Sequence, residues 1–373
     1  MKIFFIGDAG SVHVQRWVKY FADKGHKVYL FSFETLRGSS PLSDNIVLHY
    51  LIKIKLNIKL ISSLINLLLN IKLIKDHIKK TKPDVIHAHF ISMYGWLGAL
   101  VRYFPLVVTA WGSDVLVHPQ QSKKIRLLTS YALKTASLVT TDAEHMKKPL
   151  IELGTDPKKI EIVGFGTDID KFNPNKRNNV IREGLRISNC PTIISLRSLN
   201  PIYDIETLIL SASRVLKEYP SAKFLIAGKG SEEVKLKILA KSLKISDSVR
   251  FLGQIPQENL PQYISSADIY VSTSLSDAGI ASSTAEAMAC GLPVIITDFG
   301  DNRKWVKNGI NGFIIPLKSP DILAEKIIYL MKNKNDREKF GKANRKVIEE
   351  RNNWENEMGK MDKLYKKLVK KYT

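Results

Sequence analysis

A single carboxylate stands behind a run of small residues at 279–286. Gly279, Ile280, Ala281, Ser282 and Ser283 lead into an Ala-rich helical stretch that carries Glu286 and ends at a Gly-Leu-Pro turn. Successive amides at a helix start attract anions through their free N–H groups and the helix dipole. A diphosphate or a sugar hydroxyl suits them, and a carboxylate about a turn further on accepts hydrogen bonds from a diol such as a ribose. Taken in isolation, Glu286 also reads as a residue that complements the helix dipole. A second stretch, "GDAGSVH" at 7–13, runs a strand into a helix through two glycines, with Gly10 followed by Ser11. The third glycine of a dinucleotide fingerprint is missing. This stretch therefore reads either as a plain strand-to-helix turn or as a second anion site.

Such groups need rigid elements to hold them, and the chain supplies a regular alternation. "KIFFIG" leads into "SVHVQRWVKYFADKG" with helical apolar spacing, followed by "HKVYLFSF", "DVIHAHF", "PLVVTAW", "LVTTD" and "KIEIVGFG". After a polar, proline-bracketed pause at 173–191 the rhythm restarts with "TIISLRS", "KFLIAGKG", "VRFLGQI", "DIYVSTS", "PVIITD" and "GFIIP". Strand-helix alternation predicts parallel sheets covered on both faces. The 373 residues exceed one ordinary core,. The expected fold is α/β, with two Rossmann-like domains whose parallel sheets face each other across a central cleft. The predicted boundaries are 1–173 for the first domain, 174–350 for the second, and 351–373 for a helix packing back on the first domain.

Composition is globular, with 44% apolar and 25% charged residues,. Cys190 and Cys290 lie far apart without metal-ligand spacing and read as reduced thiols, which predicts the cytosol,. The opening residues read as strand and turn rather than as a signal peptide. The net charge of +21 points to a Lys-rich composition or an anionic partner,. No zinc-finger spacing, aromatic RNA-binding run or KH-type loop occurs, so nucleic acid is not expected. His87 and His89 alternate on one strand face without a third ligand, and packing or acceptor contact is their expected role. His13, one turn into the first helix, is read either as pointing into the cleft or as lying on the surface.

The segment "AEAMACGLPVIITDFGDNRKWVKNGINGFIIP" resembles the signature of glycosyltransferase family 4, the retaining nucleotide-sugar transferases of GT-B fold. "VVTAWGSD", "VGFGTDIDKFNP", "LIAGKGSE", "VRFLGQIPQENLPQYISSADIYVSTS" and Trp354 agree in order and spacing. The resemblance implies that Glu286 holds the nucleotide ribose and that Ile280 to Ser283 meet the donor sugar and diphosphate. It also implies that Arg197 grips the diphosphate, that Gly10 and Ser11 face it, and that Gly228 and Gly230 join the donor site. Three positions depart from the pattern. Ala278 stands where a first Glu belongs, leaving Asp277 as the candidate to reach the donor sugar. Ile202 replaces a Lys expected beside Arg197, and Trp111 replaces a His. Arg197, Glu286 and Asp277 are the catalytic candidates; His13, Trp111 and Asp114 are the acceptor-side ones, with capping of the next segment as the alternative for Asp114. No metal or other cofactor is implied.

Residues 51–82 hold eight Lys against one Asp, a local balance of +7. Lys59, Ser62, Ser63, Asn66 and Asn70 fall at helical spacing, with Leu and Ile on the broader face. Most of that apolar face is expected to bury on the first domain. The lysines of 53–82, with some exposed Leu or Ile, are expected to hold the protein on an anionic membrane, at about 1 kcal/mol per Lys near the surface. The expected activity is hexosyl or N-acetylhexosaminyl transfer from a UDP- or GDP-sugar to a glycan or lipid-linked acceptor. The expected place is the cytoplasm, at the inner face of the membrane. A 2-epimerase of the same fold and a non-catalytic sugar-nucleotide-binding subunit are the rival expectations.

Overall fold

A computed structural model describes residues 1–36, 43–55, 59–277 and 279–372. The chain divides into two compact units, one of 1–165 with 357–373 and one of 166–356. The first holds a seven-stranded sheet: β1 (Lys2–Ile6), β2 (Lys27–Ser32), β3 (Ile46–Tyr50), β4 (Val85–His89), β5 (Leu106–Ala110), β6 (Leu138–Thr141) and β7 (Ile160–Ile162). Their order is β3-β2-β1-β4-β5-β6-β7. The second holds β8 (Thr192–Ser195), β9 (Lys223–Ala227), β10 (Val249–Gly253), β11 (Ile269–Ser272), β12 (Val294–Thr297) and β13 (Gly312–Ile315), in the order β10-β9-β8-β11-β12-β13. All recorded pairs are parallel.

Parallel strands covered on both faces need apolar residues at successive positions, and β4, β5, β6, β8, β11 and β12 are buried from end to end,. Alternation sorts them between layers. Ile193, Phe224 and Ile269 belong to one core of the second unit, and Ile194, Leu225 and Tyr270 to the other,. Each sheet order reverses once, between β1 and β4 and between β8 and β11. The carboxyl ends of those strands are where open parallel sheets bind ligands.

The polar stretch 173–191 is no linker. It lies inside the second unit, with helix Asn179–Gly184 capped by the Asn178 side chain. Buried Arg182 ties it down by donating to the carbonyls of Ser266, Ile187 (2.7 Å) and Ser188 (3.1 Å). The unit boundary instead falls after Phe165 and again before Glu357, within the last helix Trp354–Tyr372. That helix buries Met358, Met361 and Tyr365. Tyr365 packs on Phe21 and hydrogen-bonds the Nδ1 of His87, whose Nε2 meets Thr109 Oγ1 at 2.6 Å. His87 is thus a buried packing histidine, held neutral by burial.

The helix Lys59–Thr81 meets the expectation in part. Leu67, Ile71 and Leu73 pack on the first core, but Ser62 and Asn70 are buried as well, whereas Ile61, Leu64 and Leu68 are exposed. The polar stripe is consumed by the backbone of residues 52–54, which lacks strand partners and takes side-chain ones instead. Among the described residues no helix is long and apolar enough to cross a membrane.

Candidate functional site

In the second unit the groups converge at the β8–β11 reversal. Arg197 follows β8 and is 9% exposed. Its Nη2 donates to Asp277 Oδ1 at 2.5 Å and to Ser274 Oγ at 3.4 Å, both from the loop after β11. Its Nη1 reaches Ser283 Oγ at 3.4 Å, and its guanidinium lies over the Tyr203 ring at 4.5 Å. Nε is buried with no hydrogen-bond partner. A fixed cation with an unused buried donor is prepared for an anion, because an orphan buried N–H costs free energy until a ligand takes it.

The helix Ser282–Ala289 begins beside that cation. Its cap residue, Ala281, has no side chain to accept from the first turn, and the first helical bond runs from Ala285 N to Ala281 O at 3.0 Å. The amides of Ser282, Ser283 and Thr284 therefore precede the ladder. Ser283 is pinned by Tyr270 Oη at 2.8 Å. Ile280 is a core residue, so only its backbone can serve a ligand. Gly279 is buried, and Glu286 sits half-buried one turn inside the helix. Ala278, where the first Glu is missing, lies outside the described residues.

Two predicted donor residues act through packing. A Cβ on Gly228 would meet Arg197 O at 2.4 Å, and one on Gly230 would meet Leu199 O at 2.2 Å. Both are small so that the loop after β9 can press against the loop carrying Arg197. Asp277 is likewise spoken for, since one of its oxygens holds Arg197. Burial pushes its carboxyl above the usual range, and the guanidinium pulls it back only in part. Ile202 is 44% exposed and adds no charge. Ser274, Tyr203 and Tyr270 are site residues that no motif signals.

In the first unit a pocket of about 500 Å³ lies at the β1–β4 reversal, lined among others by Asp8, Ser11, Glu34, His89, Tyr94 and Trp111. Among the described residues no lysine or arginine lines it. Asp8 Oδ1 accepts the Gly10 amide at 2.7 Å, so Gly10 does not offer a free N–H as expected. A carboxylate there also repels phosphate. The walls suit a neutral polyhydroxyl group, with Asp8 to accept a hydroxyl and aromatic rings to cover a sugar face, while Glu34 is held by Lys53 Nζ at 2.6 Å,. Both ring nitrogens of buried His89 lack partners, as does Trp111 Nε1. His13 packs between Trp111 and Phe165, at 5.0 and 4.8 Å between ring centres.

Asp114 does not face an acceptor. It is fully buried, and its oxygens accept from Ile91 N (2.7 Å), Trp111 N (3.0 Å) and Gly112 N (3.0 Å). These bonds clamp the ends of β4 and β5, where Phe90 and Met93 hold positive φ angles of 74°. Asp114→Ala would orphan those amides and should destabilise the protein by about 1–3 kcal/mol in chemical denaturation. An unchanged midpoint would remove the clamp from the account.

Burial lowers the pKa of His13 to about 4 and that of His89 to about 3. The unfolded chain, with histidine pKa near 6.5, then binds more protons than the folded one between these limits. Stability is expected in full above about pH 6.5 and to fall as the solution is acidified, by about 1.4 kcal/mol per pH unit for each histidine. Denaturation midpoints between pH 7 and 4.5 check this, and His13→Phe should flatten the slope.

No group of three His, Cys, Asp or Glu able to hold a metal occurs among the described residues. Cys290 is buried, with its thiol pushed up to about 12, and Cys190 is half-buried; both are free.

Comparison with known proteins adds an independent line. Residues 177–347 match the family described as Glycosyl transferases group 1, and residues 2–143 match Glycosyl transferase 4-like. An uncharacterized glycosyltransferase of Methanocaldococcus jannaschii is 25% identical over 63% of this chain and 60% of its own length. An Escherichia coli protein named UDP-Gal:alpha-D-GlcNAc-diphosphoundecaprenol alpha-1,3-galactosyltransferase is 27% identical over 79% of this chain and 77% of its own. In the first curated relatives the match spans 57% to 62% of their length. Anabaena HepE, solved with UDP and with UDP-glucose, superposes with a TM-score of 0.80 at 18% identity, over 99% of this chain and 100% of that one.

Proposed function

Because the chain belongs to the glycosyl transferases group 1 family of GT-B fold, we propose that it transfers a hexosyl or N-acetylhexosaminyl group from a UDP- or GDP-sugar to a glycan or lipid-linked acceptor, with retention. The observation that carries this is the buried Arg197 guanidinium with its unused Nε, set against Ser283 at an uncapped helix start. Two devices for a departing diphosphate meet there. UDP in the HepE complexes and the undecaprenol acceptor in the Escherichia coli relative's name support the donor and acceptor classes.

In this proposal the bond from the anomeric carbon to the diphosphate oxygen breaks, and its electron pair leaves with the nucleoside diphosphate. Arg197 and the amides of Ser282, Ser283 and Thr284 take up that growing charge, so no metal is needed. The acceptor hydroxyl attacks from the same face, forming the new glycosidic bond, and its proton passes to the leaving phosphate. Glu286 accepts the ribose hydroxyls. Asp277 positions Arg197, and its second oxygen is offered to the donor sugar. The acceptor sugar enters the pocket of the first unit beside His13 and Trp111. A peripheral position on the inner membrane face, through the basic residues of 53–82, gives access to a lipid-linked acceptor.

A panel of radiolabelled UDP- and GDP-sugars, incubated with the protein and membranes, tests the proposal. Label is expected in the lipid or glycan fraction with release of nucleoside diphosphate. Release of a free epimeric sugar, or binding without turnover, would overturn it.

A further inference from the structure

The turn that follows β4 passes through two strained residues. Phe90 holds φ 74° and ψ 107°, and Met93 holds φ 74° and ψ −68°. Neither is a glycine, and the angles of Met93 are those of a γ-turn that is rare for any residue with a Cβ. The surroundings pin this conformation. Asp114 accepts from Ile91 N at 2.7 Å, and Phe90 N donates to Thr109 O at 3.0 Å. Gly95 N donates to Phe90 O at 3.1 Å, and Ser92 Oγ meets His118 Nδ1 at 3.1 Å. A glycine at 93 would take the same angles freely.

What methionine adds at 93 is not core packing. Its side chain is 46% exposed and lies outside the core that takes in Phe90, Tyr94 and Leu97. It lines the pocket at the β1–β4 reversal instead. Strain of this kind persists where the fold over-determines it, and it gathers at ligand sites. Val14 and Phe90 extend the apolar wall beside Met93, and Asp8 and Ser11 face the same cavity. Asp8 gives only Oδ1 to the Gly10 amide. Ser11 stands at the N-cap of the helix Val12–Asp23, yet its hydroxyl makes no capping bond. A carboxylate oxygen, a hydroxyl and an apolar wall are therefore on offer together.

We infer that this pocket recognises an acetamido group on the acceptor sugar. The methyl lies against Met93 and Phe90, the N–H donates to Asp8, and the carbonyl accepts from Ser11 Oγ. Chemistry decides the class. A phosphate or a uronate would face Asp8 with no lysine or arginine lining the pocket, among the described residues, to offset it,. A bare hydroxyl or an ammonium would satisfy Asp8 and leave the thioether and Val14 against water. An acetamido group brings a donor, an acceptor and a methyl, one for each kind of wall. Methionine is unbranched and polarisable, so it closes over a methyl without a rigid fit. The inference rests on the proposed reading of this pocket as the acceptor site. It narrows the acceptor to an N-acetylated amino sugar and makes Met93 a specificity-determining residue.

Solution NMR of the full chain, labelled at its methionine methyl carbons and with UDP present, tests it. The Met93 signal is identified by its loss in Met93→Leu. The probes are the methyl α-glycosides of N-acetylglucosamine, glucose and glucosamine. The Met93 methyl is expected to shift with the first probe at a concentration about tenfold or more below that needed for the other two. In transfer assays Met93→Gly and Met93→Ala should raise KM for the N-acetylated probe by about tenfold or more, with donor KM changed by less than about twofold. Met93→Leu should stay near wild type. Because glycine relieves the turn, Met93→Gly should melt no lower than wild type, whereas a purely structural Met93 would lose stability and keep its KM. A Met93 signal that answers glucose or glucosamine as readily, or an unchanged KM in Met93→Gly, would overturn the inference. The methyl shift needs no turnover. A shift without transfer to any acceptor would therefore count against the proposed function and not against the acetamido site.

Discussion

Arg197→Ala is expected to lower kcat by about 10²–10³-fold while weakening donor binding much less. The diphosphate that the guanidinium meets is already anionic in the bound donor and gains a further negative charge as it departs, so the contribution of Arg197 is largest at the transition state. The lysine that the family resemblance implies near it is replaced by Ile202. A second consequence follows from the ion pair. Without Arg197 the mostly buried Asp277 loses its partner, and its carboxyl, already pushed up by burial, rises further,. The variant should therefore also melt earlier. Asp277→Asn separates the two effects, since it leaves the cation in place and should retain affinity for free UDP. A variant at position 197 that lost affinity but kept its turnover would make Arg197 a ground-state contact only.

Glu286→Ala should weaken nucleotide-sugar binding by roughly 10–150-fold, the equivalent of about 1.5–3 kcal/mol for hydrogen bonds to a charged acceptor. The carboxylate is half-buried on a helix whose other flank, Ala285, Ala287 and Met288, is core. That packing fixes the helix face from which the side chain leaves before any ligand arrives. Calorimetry with UDP against a ligand lacking the ribose diol isolates the contribution. Equal losses for both ligands, or unchanged affinity with a lowered melting temperature, would return Glu286 to complementing the helix dipole.

Most of the scaffold is legible because buried parallel strands are runs of β-branched and aromatic residues bounded by turns. Each run read as a strand is one, from "KIFFIG" to "GFIIP". The edge strand Ile46–Tyr50 escapes because its half-exposed residues, including His49 and Tyr50, interrupt the apolar signal. Helical spacing locates the stripe of Ser62, Asn66 and Asn70 but not its direction. The direction depends on an extended segment, 52–54, that needs partners for its own amides. The same limit applies to Asp114 and to the 173–191 stretch. A polar residue looks exposed in a sequence, and only the three amides around Asp114, or the carbonyls around Arg182, reveal that it is buried for their sake. In the donor site the amide loop and Arg197 are visible as types and spacing, whereas Ser274, Tyr203 and Tyr270 come together only through the β8–β11 reversal.

The central claim is that the diphosphate of a nucleotide sugar is held by Arg197 and the first amides of the helix Ser282–Ala289. Determination of the structure with UDP bound tests it most directly. The account predicts phosphate oxygens within hydrogen-bond distance of the Arg197 guanidinium and the amides of Ser282 to Thr284, with ribose hydroxyls on Glu286. Phosphates lodged elsewhere, with Arg197 still closed on Asp277 alone, would contradict it.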